Sequence, residues 1–461
     1  MKKLFIAGGL LLWSFANAQI KPLQALSISS NNRFFQTKDG KPFFWLGDTG
    51  WLLFSKTSRE EAIEYLQIRK DQGFNVVQAM VLHEINEKNV YGDFAVENGD
   101  VSKPVVAPGI DYKDPKAYDY WDHIDFIIDE AAKRGIYIGL VPVWGSIVKS
   151  GKVSVRQAES YARFLALRYK NRSNIIWMNG GDIKGTDSIA VWEMIGTTIK
   201  KYDPAHLQTY HPRGRNSSSE WFHQEAWLDF NMFQSGHRNY SQDTSLSENN
   251  HFGEDNWRYI QMDYALKPVK PTLDGEPSYE NIPQGLHDFS LPRWTAADVR
   301  RYAYWEVFAG GAGFTYGENS VMQFHTPGDA DANYGVKGSW KERIHSPGAT
   351  QVQYLKQLLL SHSYFDRVPD QSLVVNNGER YQRVAATRGK DYAMLYTYTG
   401  RTMLVQMGKI AGSMVKAYWF DPRTGKKLDA GSLENKGVGT FDPPGEEGDG
   451  NDWVLVIEKL K

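Results

Sequence analysis

The chain has 461 residues, a formal net charge of -1 and no cysteine, and 41% of its residues are hydrophobic. This length and apolar content suit one large domain plus a smaller one, and they exclude wholesale disorder. The absence of a basic excess argues against a nucleic-acid partner, and the absence of cysteine excludes disulfides, thiolate metal sites and cysteine nucleophiles.

The first residues are typical of an export signal. Lys2 and Lys3 precede an apolar run at 4–15, and Ala16-Asn17-Ala18 has the small-x-small pattern of a signal-peptidase site. The run is too short to span a bilayer, and no other stretch is long enough. We expect cleavage after Ala18 and a periplasmic or secreted protein; a buried N-terminal helix is the alternative.

Residues 33–44 are predicted to form a hairpin around the turn Lys38-Asp39-Gly40-Lys41. The hairpin leads into the first strand of the main domain. It either closes the base of that domain or pairs with the C-terminal domain.

Eight short, continuous apolar runs follow, separated by segments with helical periodicity. Such runs are typical of parallel strands covered by helices. The predicted strands are 43–47, 75–82, 136–144, 174–179, 208–211, 230–234, 269–274 and 313–316. Eight strand–helix units predict a (β/α)8 TIM barrel, which we place at residues 19–365 together with the hairpin.

Helix starts are marked by residues that cap backbone N–H groups. Capping boxes begin at Ser58 and Ser154, and Thr295 starts a further helix. The first of these helices ends at Gly73. Asp114-Pro115 is predicted to open a helical segment that ends at Gly135.

The pattern changes near residue 365. Short alternating runs at 372–375, 382–387, 392–398, 402–407, 415–420 and 453–458 are separated by turn signals. Residues 366–461 are therefore predicted to form a small antiparallel β-sandwich that braces the barrel.

Two predicted strands end in carboxylates at the same mouth of the barrel. The fourth ends in Asn179-Gly180-Gly181-Asp182, and the seventh in Asp274-Gly275-Glu276-Pro277. Active sites of such barrels lie at the carboxyl ends of the strands. Two carboxyl groups facing one another are the apparatus of glycoside hydrolysis, although each alone also suits a helix cap or a salt bridge.

These motifs resemble those of glycoside hydrolase family 140, the apiosidases, within the retaining barrel glycosidases of clan A. The similarity covers nearly the whole mature chain, and its C-terminal part resembles a collagen-binding-type β-sandwich. The motifs that carry the resemblance are Phe44-Trp45-Leu46-Gly47-Asp48-Thr49-Gly50-Trp51, Asn174-Ile175-Ile176-Trp177-Met178-Asn179-Gly180-Gly181-Asp182, Asp274-Gly275-Glu276-Pro277 and Tyr418-Trp419-Phe420-Asp421-Pro422-Arg423-Thr424-Gly425.

The resemblance implies that Glu276 is the nucleophile and Asp182 the acid/base of a double displacement. It also implies an endo-apiosidase that cleaves apiose–galacturonate linkages of rhamnogalacturonan II, a pectic polysaccharide. The wider clan ends its fourth strand in Asn-Glu; here Gly-Gly-Asp stands instead, so the shorter acid must sit deeper or on a different backbone turn. Another retaining glycosidase, of endo-glucanase or arabinofuranosidase type, and a non-catalytic glycan-binding protein remain alternatives.

Further polar and aromatic residues at strand ends are candidates for substrate binding. They are Asp48, Trp51, His83, Asn179, His211, Gln234 and Tyr316. Glu84 also lies at a strand end and competes for a catalytic role, and His237 follows the sixth strand. No cofactor or metal is expected, because the histidines lack zinc-type spacing. The acidic loop 446–452 suits a solvated turn better than a calcium site. A monomer is expected.

Overall fold

The structure is a computed structural model that describes residues 23–114, 116–244 and 249–460. The predicted signal segment and cleavage site lie outside these residues, so export remains a prediction. None of the helices within the described residues is long and apolar enough to cross a membrane.

The chain begins with a three-stranded antiparallel sheet. Its strands are β1 (Leu26–Ile28), β2 (Phe35–Thr37) and β3 (Pro42–Phe43). The Phe35 ring packs 6.0 Å from the Trp45 ring and 5.0 Å from the Phe230 ring, at the amino-terminal ends of two core strands. Of the two alternatives for the hairpin, the structure therefore favours closure of the base.

Within the residues that the structure describes, nine strands form the centre of the large domain. They are β4 (Trp45–Thr49), β5 (Val76–Met80), β6 (Tyr137–Val141), β7 (Ile175–Ile183), β8 (Gln208–Pro212), β9 (Asn216–Ser217), β10 (Asn231–Gln234), β11 (Thr272–Asp274) and β12 (Gly313–Tyr316). Eight of them coincide with the predicted strands, and β9 is an addition. The strands are almost entirely buried, as their apolar runs predict.

The strands divide into a parallel sheet of six, in the order β12-β4-β5-β6-β7-β8, and a second sheet in which β10 and β11 pair in parallel. Single backbone bonds cross between the sheets: Asp229 N–H donates to Gln208 C=O, and Ala312 N–H donates to Thr272 C=O. The core is thus a parallel half-barrel sheet beside a parallel pair, and closure of the two into one eight-stranded barrel stays a prediction.

Helices and short helical turns occupy the connections between the strands and the segment that follows β12. They are α1 (Leu53–Lys56), α2 (Arg59–Asp71), α3 (Tyr120–Lys133), α4 (Gly145–Lys149), α5 (Val155–Tyr169), α6 (Ile189–Tyr202), α7 (Ser219–Phe222), α8 (Trp257–Tyr264), α9 (Ala296–Phe308), α10 (Asn319–Met322), α11 (Trp340–Arg343), α12 (Pro347–Gln351) and α13 (Gln353–Leu360). The predicted caps at Ser58, Ser154 and Thr295 are all present.

The start of α3 differs from the prediction. Its N-cap is Asp119, whose carboxylate accepts the N–H groups of Trp121 and Asp122. The carboxylate of Asp114 instead accepts the N–H of Lys116 in a turn. The helix therefore begins where a carboxylate satisfies two exposed N–H groups, beyond the Asp114-Pro115 signal.

The C-terminal domain consists of antiparallel strands. They are β13 (Val368–Pro369), β14 (Val384–Arg388), β15 (Tyr392–Thr397), β16 (Met403–Gln406), β17 (Met414–Phe420), β18 (Lys427–Glu434), β19 (Val438–Phe441) and β20 (Trp453–Lys459). Six form one sheet, and β16 and β19 form a two-stranded ribbon whose Val405 and Phe441 share an apolar core with the larger sheet.

Two details of this domain were predicted wrongly. The run 372–375 begins within a 3-10 turn (Gln371–Leu373) instead of forming a strand. Strands β18 and β19 escaped prediction because their residues are largely exposed and their few apolar side chains form no regular alternation.

A buried ion pair and a cation–ring contact join α9 to the C-terminal domain. The Arg300 guanidinium donates to both carboxylate oxygens of Asp452, at 2.8 and 2.7 Å. The next residue, Arg301, pairs with Glu254 at 2.5 Å and lies over the Tyr381 ring at 4.6 Å. Consecutive arginines on one helix thus hold the two domains together.

Candidate active site

Asp182 stands in a bulge at the carboxyl end of β7. Gly180 pairs with His211 of β8, and the next pairing is Ile183 with Pro212, so Gly181 and Asp182 have no partners on β8. Gly180, Gly181 and Asp182 have φ angles of 90°, 120° and 52°. This left-handed run requires glycine at its first positions, and it turns the carboxyl into the mouth of the sheet.

The bulge packs closely on the start of α4. A Cβ atom at Gly181 would overlap the Trp144 ring, and one at Gly145 would overlap the Gly181 carbonyl. The different backbone turn expected for the shorter acid is therefore present, and it brings the Asp182 carboxyl to the pocket.

Glu276 lies two residues beyond β11 and is 5% exposed. Its Oε1 atom lies 2.9 Å from Nε2 of His237, and its Oε2 atom lies 3.4 Å from Nε2 of His211. Nδ1 of His237 accepts the Tyr279 N–H, so Nε2 carries the proton and donates to Glu276.

The two carboxyl groups are close, and their pKa values move in opposite directions. One oxygen of each, together with a ring nitrogen of His211, lie within 4.8 Å of one another. Asp182 is exposed to the pocket. Reduced contact with water among the residues around it, and then the charge of Glu276, raise the pKa of its carboxyl to about 7. The pKa of Glu276 falls to about 2: burial would raise it, but the contacts with His211 and His237 outweigh that effect.

A third carboxyl group, that of Asp274, supports the backbone of Glu276. It accepts the Glu276 N–H at 3.2 Å, and it also accepts the N–H and the hydroxyl of Ser235, at 3.2 and 2.5 Å. Asp274 is fully buried, and burial raises its pKa to about 7. Because Ser235 follows β10 and Glu276 follows β11, Asp274 fixes these two strand ends relative to each other.

The two carboxyls border a pocket with about 680 Å³ of empty space, part of which is open to solvent. Aromatic rings and a few polar groups line it, as is usual for small-molecule sites. The lining residues besides the carboxylates include Trp51, Met80, His83, Trp144, Gln234, His237, Tyr279, Ile282, Leu286, Asn333 and Tyr334.

Four of the predicted binding residues lie at this site. Trp51, His83 and Gln234 line the pocket that Asp182 borders. His211 is fully buried beneath the pocket, where its ring packs 5.3 Å from the Trp51 ring.

The predictions for Asp48, Asn179 and Tyr316 are corrected, because all three are buried away from the pocket. Asp48 pairs with Arg69 of α2 at 2.6 Å. The Asn179 amide donates to a backbone carbonyl of α6 at 2.9 Å, and the Tyr316 hydroxyl donates to Glu280 at 2.7 Å. Their side chains therefore serve packing between the sheet and its surroundings.

Other residues enter the site from loops. His237, Tyr279 and Tyr334 follow the strands by several residues, so no strand-end rule selects them. His237 was noted only by its place after the sixth strand. Glu84 is exposed at the rim and does not line the pocket.

Asp182, His211 and Glu276 are near enough to one another to hold a cation. The two carboxylates are also the groups that glycoside hydrolysis needs, so absence of a metal stays a prediction that chelation can test. In the acidic loop 446–452, Asp452 pairs with Arg300 and is not available as an ordinary calcium ligand.

Comparison with known proteins connects this site to one family. Residues 29–366 match the model of the apiosidase-like catalytic domain, and residues 368–458 match a collagen-binding-like domain of a collagenase. A solved structure named glycoside hydrolase is 47% identical, with a TM-score of 0.88, over 95% of this chain and 97% of the other. A glycoside hydrolase family 5 structure from Bacteroides vulgatus ATCC 8482 is 45% identical, with a TM-score of 0.88, over 94% of each chain. No curated protein matches this chain.

Proposed function

Since the chain belongs to the apiosidase-like glycoside hydrolases, we propose that it cleaves its glycosidic bond with retention, through Glu276 as nucleophile and Asp182 as acid/base. The observation that carries this proposal is the close pair of carboxyls with opposite pKa shifts. At neutral to mildly acidic pH, Glu276 is ionised while a large share of Asp182 is protonated.

The short distance favours retention over inversion. Carboxyl groups in retaining enzymes are about 5–5.5 Å apart, whereas inverting enzymes need about 6.5–9.5 Å to admit a water molecule. Here one oxygen of each carboxyl lies within 4.8 Å of the other. This distance is nearer to the spacing of retaining enzymes than to that of inverting enzymes.

In the first step, Glu276 attacks the anomeric carbon and Asp182 gives its proton to the departing oxygen. The glycosyl–Glu276 ester holds the sugar, and the leaving group departs as an alcohol. In the second step, Asp182 takes a proton from water, the hydroxide oxygen bonds to the anomeric carbon, and the Glu276 carboxylate is released. The charge of Glu276 disappears in the ester, which lowers the pKa of Asp182 and suits it to act as a base.

We extend the proposal to the substrate, the fold and the location. The substrate is apiose linked to galacturonate in rhamnogalacturonan II, as expected from resemblance to glycoside hydrolase family 140. The half-barrel sheet and the parallel pair together make up a (β/α)8 barrel. The protein is exported after cleavage at Ala18 and acts as a monomer.

The test is release of free apiose from rhamnogalacturonan II oligosaccharides, with added methanol to trap the intermediate. Wild type should release apiose and form methyl apioside of the starting anomeric configuration. Glu276→Gln and Asp182→Asn should each lower kcat/KM by about a thousandfold or more, whereas Glu159→Gln, on the exposed face of α5, should not.

The other outcomes separate the alternatives. Cleavage of a β-glucan or arabinan instead of rhamnogalacturonan II would support the proposed glycosidase mechanism and contradict the proposed substrate. A methyl glycoside of inverted configuration, or its complete absence with active enzyme, would argue against retention. No cleavage of any glycan would favour the glycan-binding alternative.

A further inference from the structure

A groove leaves the catalytic pocket between the loop after β5 and helix α4. Its lining residues are His83, Glu84, Ile85, Asn86, Ser146, Ile147, Ser150 and Lys152. His83 also lines the catalytic pocket, and Trp144 of the pocket lies two residues before Ser146. Both walls of the groove are therefore continuous with walls of the pocket.

The groove begins on the side of Asp182. The backbone before Asp182 packs against Trp144 and Gly145, which lead directly into α4. Glu276, in contrast, is flanked by His237 and Tyr279. Because the acid protonates the oxygen of the leaving group, that group must lie on the acid's side of the pocket.

The groove also carries polar groups that the protein leaves unused. Glu84, Ser146 and Lys152 are exposed, and in the described part of the chain their side chains make no hydrogen bond or ion pair. The buried Ile147 forms an apolar part of the lining. A carboxylate, a hydroxyl and an ammonium group around an apolar patch match the hydroxyls and C–H faces of a sugar ring.

From the groove, Asn86 leads to a second depression. Asn86 lines both, and the second contains Phe94, which is 51% exposed, and Val105, which is 37% exposed. An exposed aromatic ring offers a stacking face for a more distant sugar.

We propose that the groove binds the leaving-group part of the substrate, an oligosaccharide whose first sugar contacts Lys152 and whose more distant sugars reach Phe94. This inference rests on the proposed function. If the groove binds the leaving group, the enzyme recognises the oligosaccharide from which the sugar is removed as well as the sugar itself.

The experiment uses apiosides, the glycosides of the proposed sugar, with a 4-nitrophenyl, monosaccharide, disaccharide or trisaccharide leaving group. In the wild type, kcat/KM should rise with each added sugar. Lys152→Ala should raise KM by about five- to tenfold for all saccharide leaving groups and leave the 4-nitrophenyl glycoside unchanged. Phe94→Ala should raise KM by about five- to tenfold for the longest substrate alone.

Exposed residues of the C-terminal domain supply matched controls, Lys409→Ala and Leu428→Ala, which should change none of these values. The proposal that the groove binds the leaving group is wrong if the wild type cleaves all four substrates equally well. It is also wrong if Lys152→Ala raises KM for the 4-nitrophenyl glycoside as much as for the others. A wild type inactive on every glycoside would overturn the proposed function and the groove with it.

Discussion

The contact between His237 and Glu276 allows a specific prediction about the pKa of Glu276. Replacement of His237 by alanine removes the N–H that lies 2.9 Å from Oε1 of Glu276. The neighbouring His211 lies farther away, at 3.4 Å from Oε2. Glu276 is then left buried with one favourable contact instead of two, so its charged form should become less stable.

The size of the effect follows from the energy of such bonds. A hydrogen bond to a charged group contributes about 1.5–3 kcal/mol, and one pKa unit corresponds to about 1.4 kcal/mol. The pKa of Glu276, which is about 2 in the wild type, should therefore rise by about one to two units in His237→Ala. Since Glu276 must be ionised to attack, the acidic limb of the kcat/KM profile should move to higher pH by this amount.

The assay is the pH dependence of kcat/KM, with folding checked by circular dichroism at each pH. His237→Gln should restore part of the shift because its amide can still donate. The control is His206→Ala, which removes another buried histidine that lies 2.6 Å from a carboxylate, that of Asp203. An unchanged acidic limb in His237→Ala, or an equal shift in His206→Ala, would refute the reasoning.

Three further predictions concern the acid, the bulge and the domain contact. The basic limb of the kcat/KM profile should fall near pH 7, because the proton of Asp182 is lost as pH rises through its raised pKa; chelation by EDTA should leave the profile unchanged. Gly181→Ala should lower kcat/KM by about a hundredfold or more through backbone strain and overlap with its neighbours, whereas Gly135→Ala, also at positive φ but with open space around it, should retain activity. Arg300→Leu should destabilise the protein by about 3–5 kcal/mol in denaturant titrations, because Asp452 is left buried without its partner, and an effect below about 1 kcal/mol would argue against this role of the contact.

Much of the fold could be predicted from local patterns. Apolar runs located all eight parallel core strands, because burial on both faces demands continuous hydrophobic residues. Side-chain caps located the starts of three long helices, because an oxygen at that point satisfies free N–H groups. The exposed strands β18 and β19 show the limit, since their few apolar residues form no regular alternation.

The candidate site, like the fold, was predicted only in part from the sequence. Sequence placed Asp182 and Glu276 together, because the carboxyl ends of parallel strands meet at one edge. The sequence does not determine which way a side chain at a strand end points. Asp48, Asn179 and Tyr316 were therefore assigned to a pocket that they do not line. Successive side chains of a strand point to opposite faces, and a position at a strand end does not settle which face it occupies.

By itself, then, the sequence determined the order of strands and helices and the identity of the paired carboxyls, because both depend on local burial and on chain position. Only the tertiary structure decided the bulge that aims Asp182, the loop that brings His237 to Glu276, and the groove beside α4. These features arise where backbone from separate parts of the chain meets, and no local pattern records such a meeting.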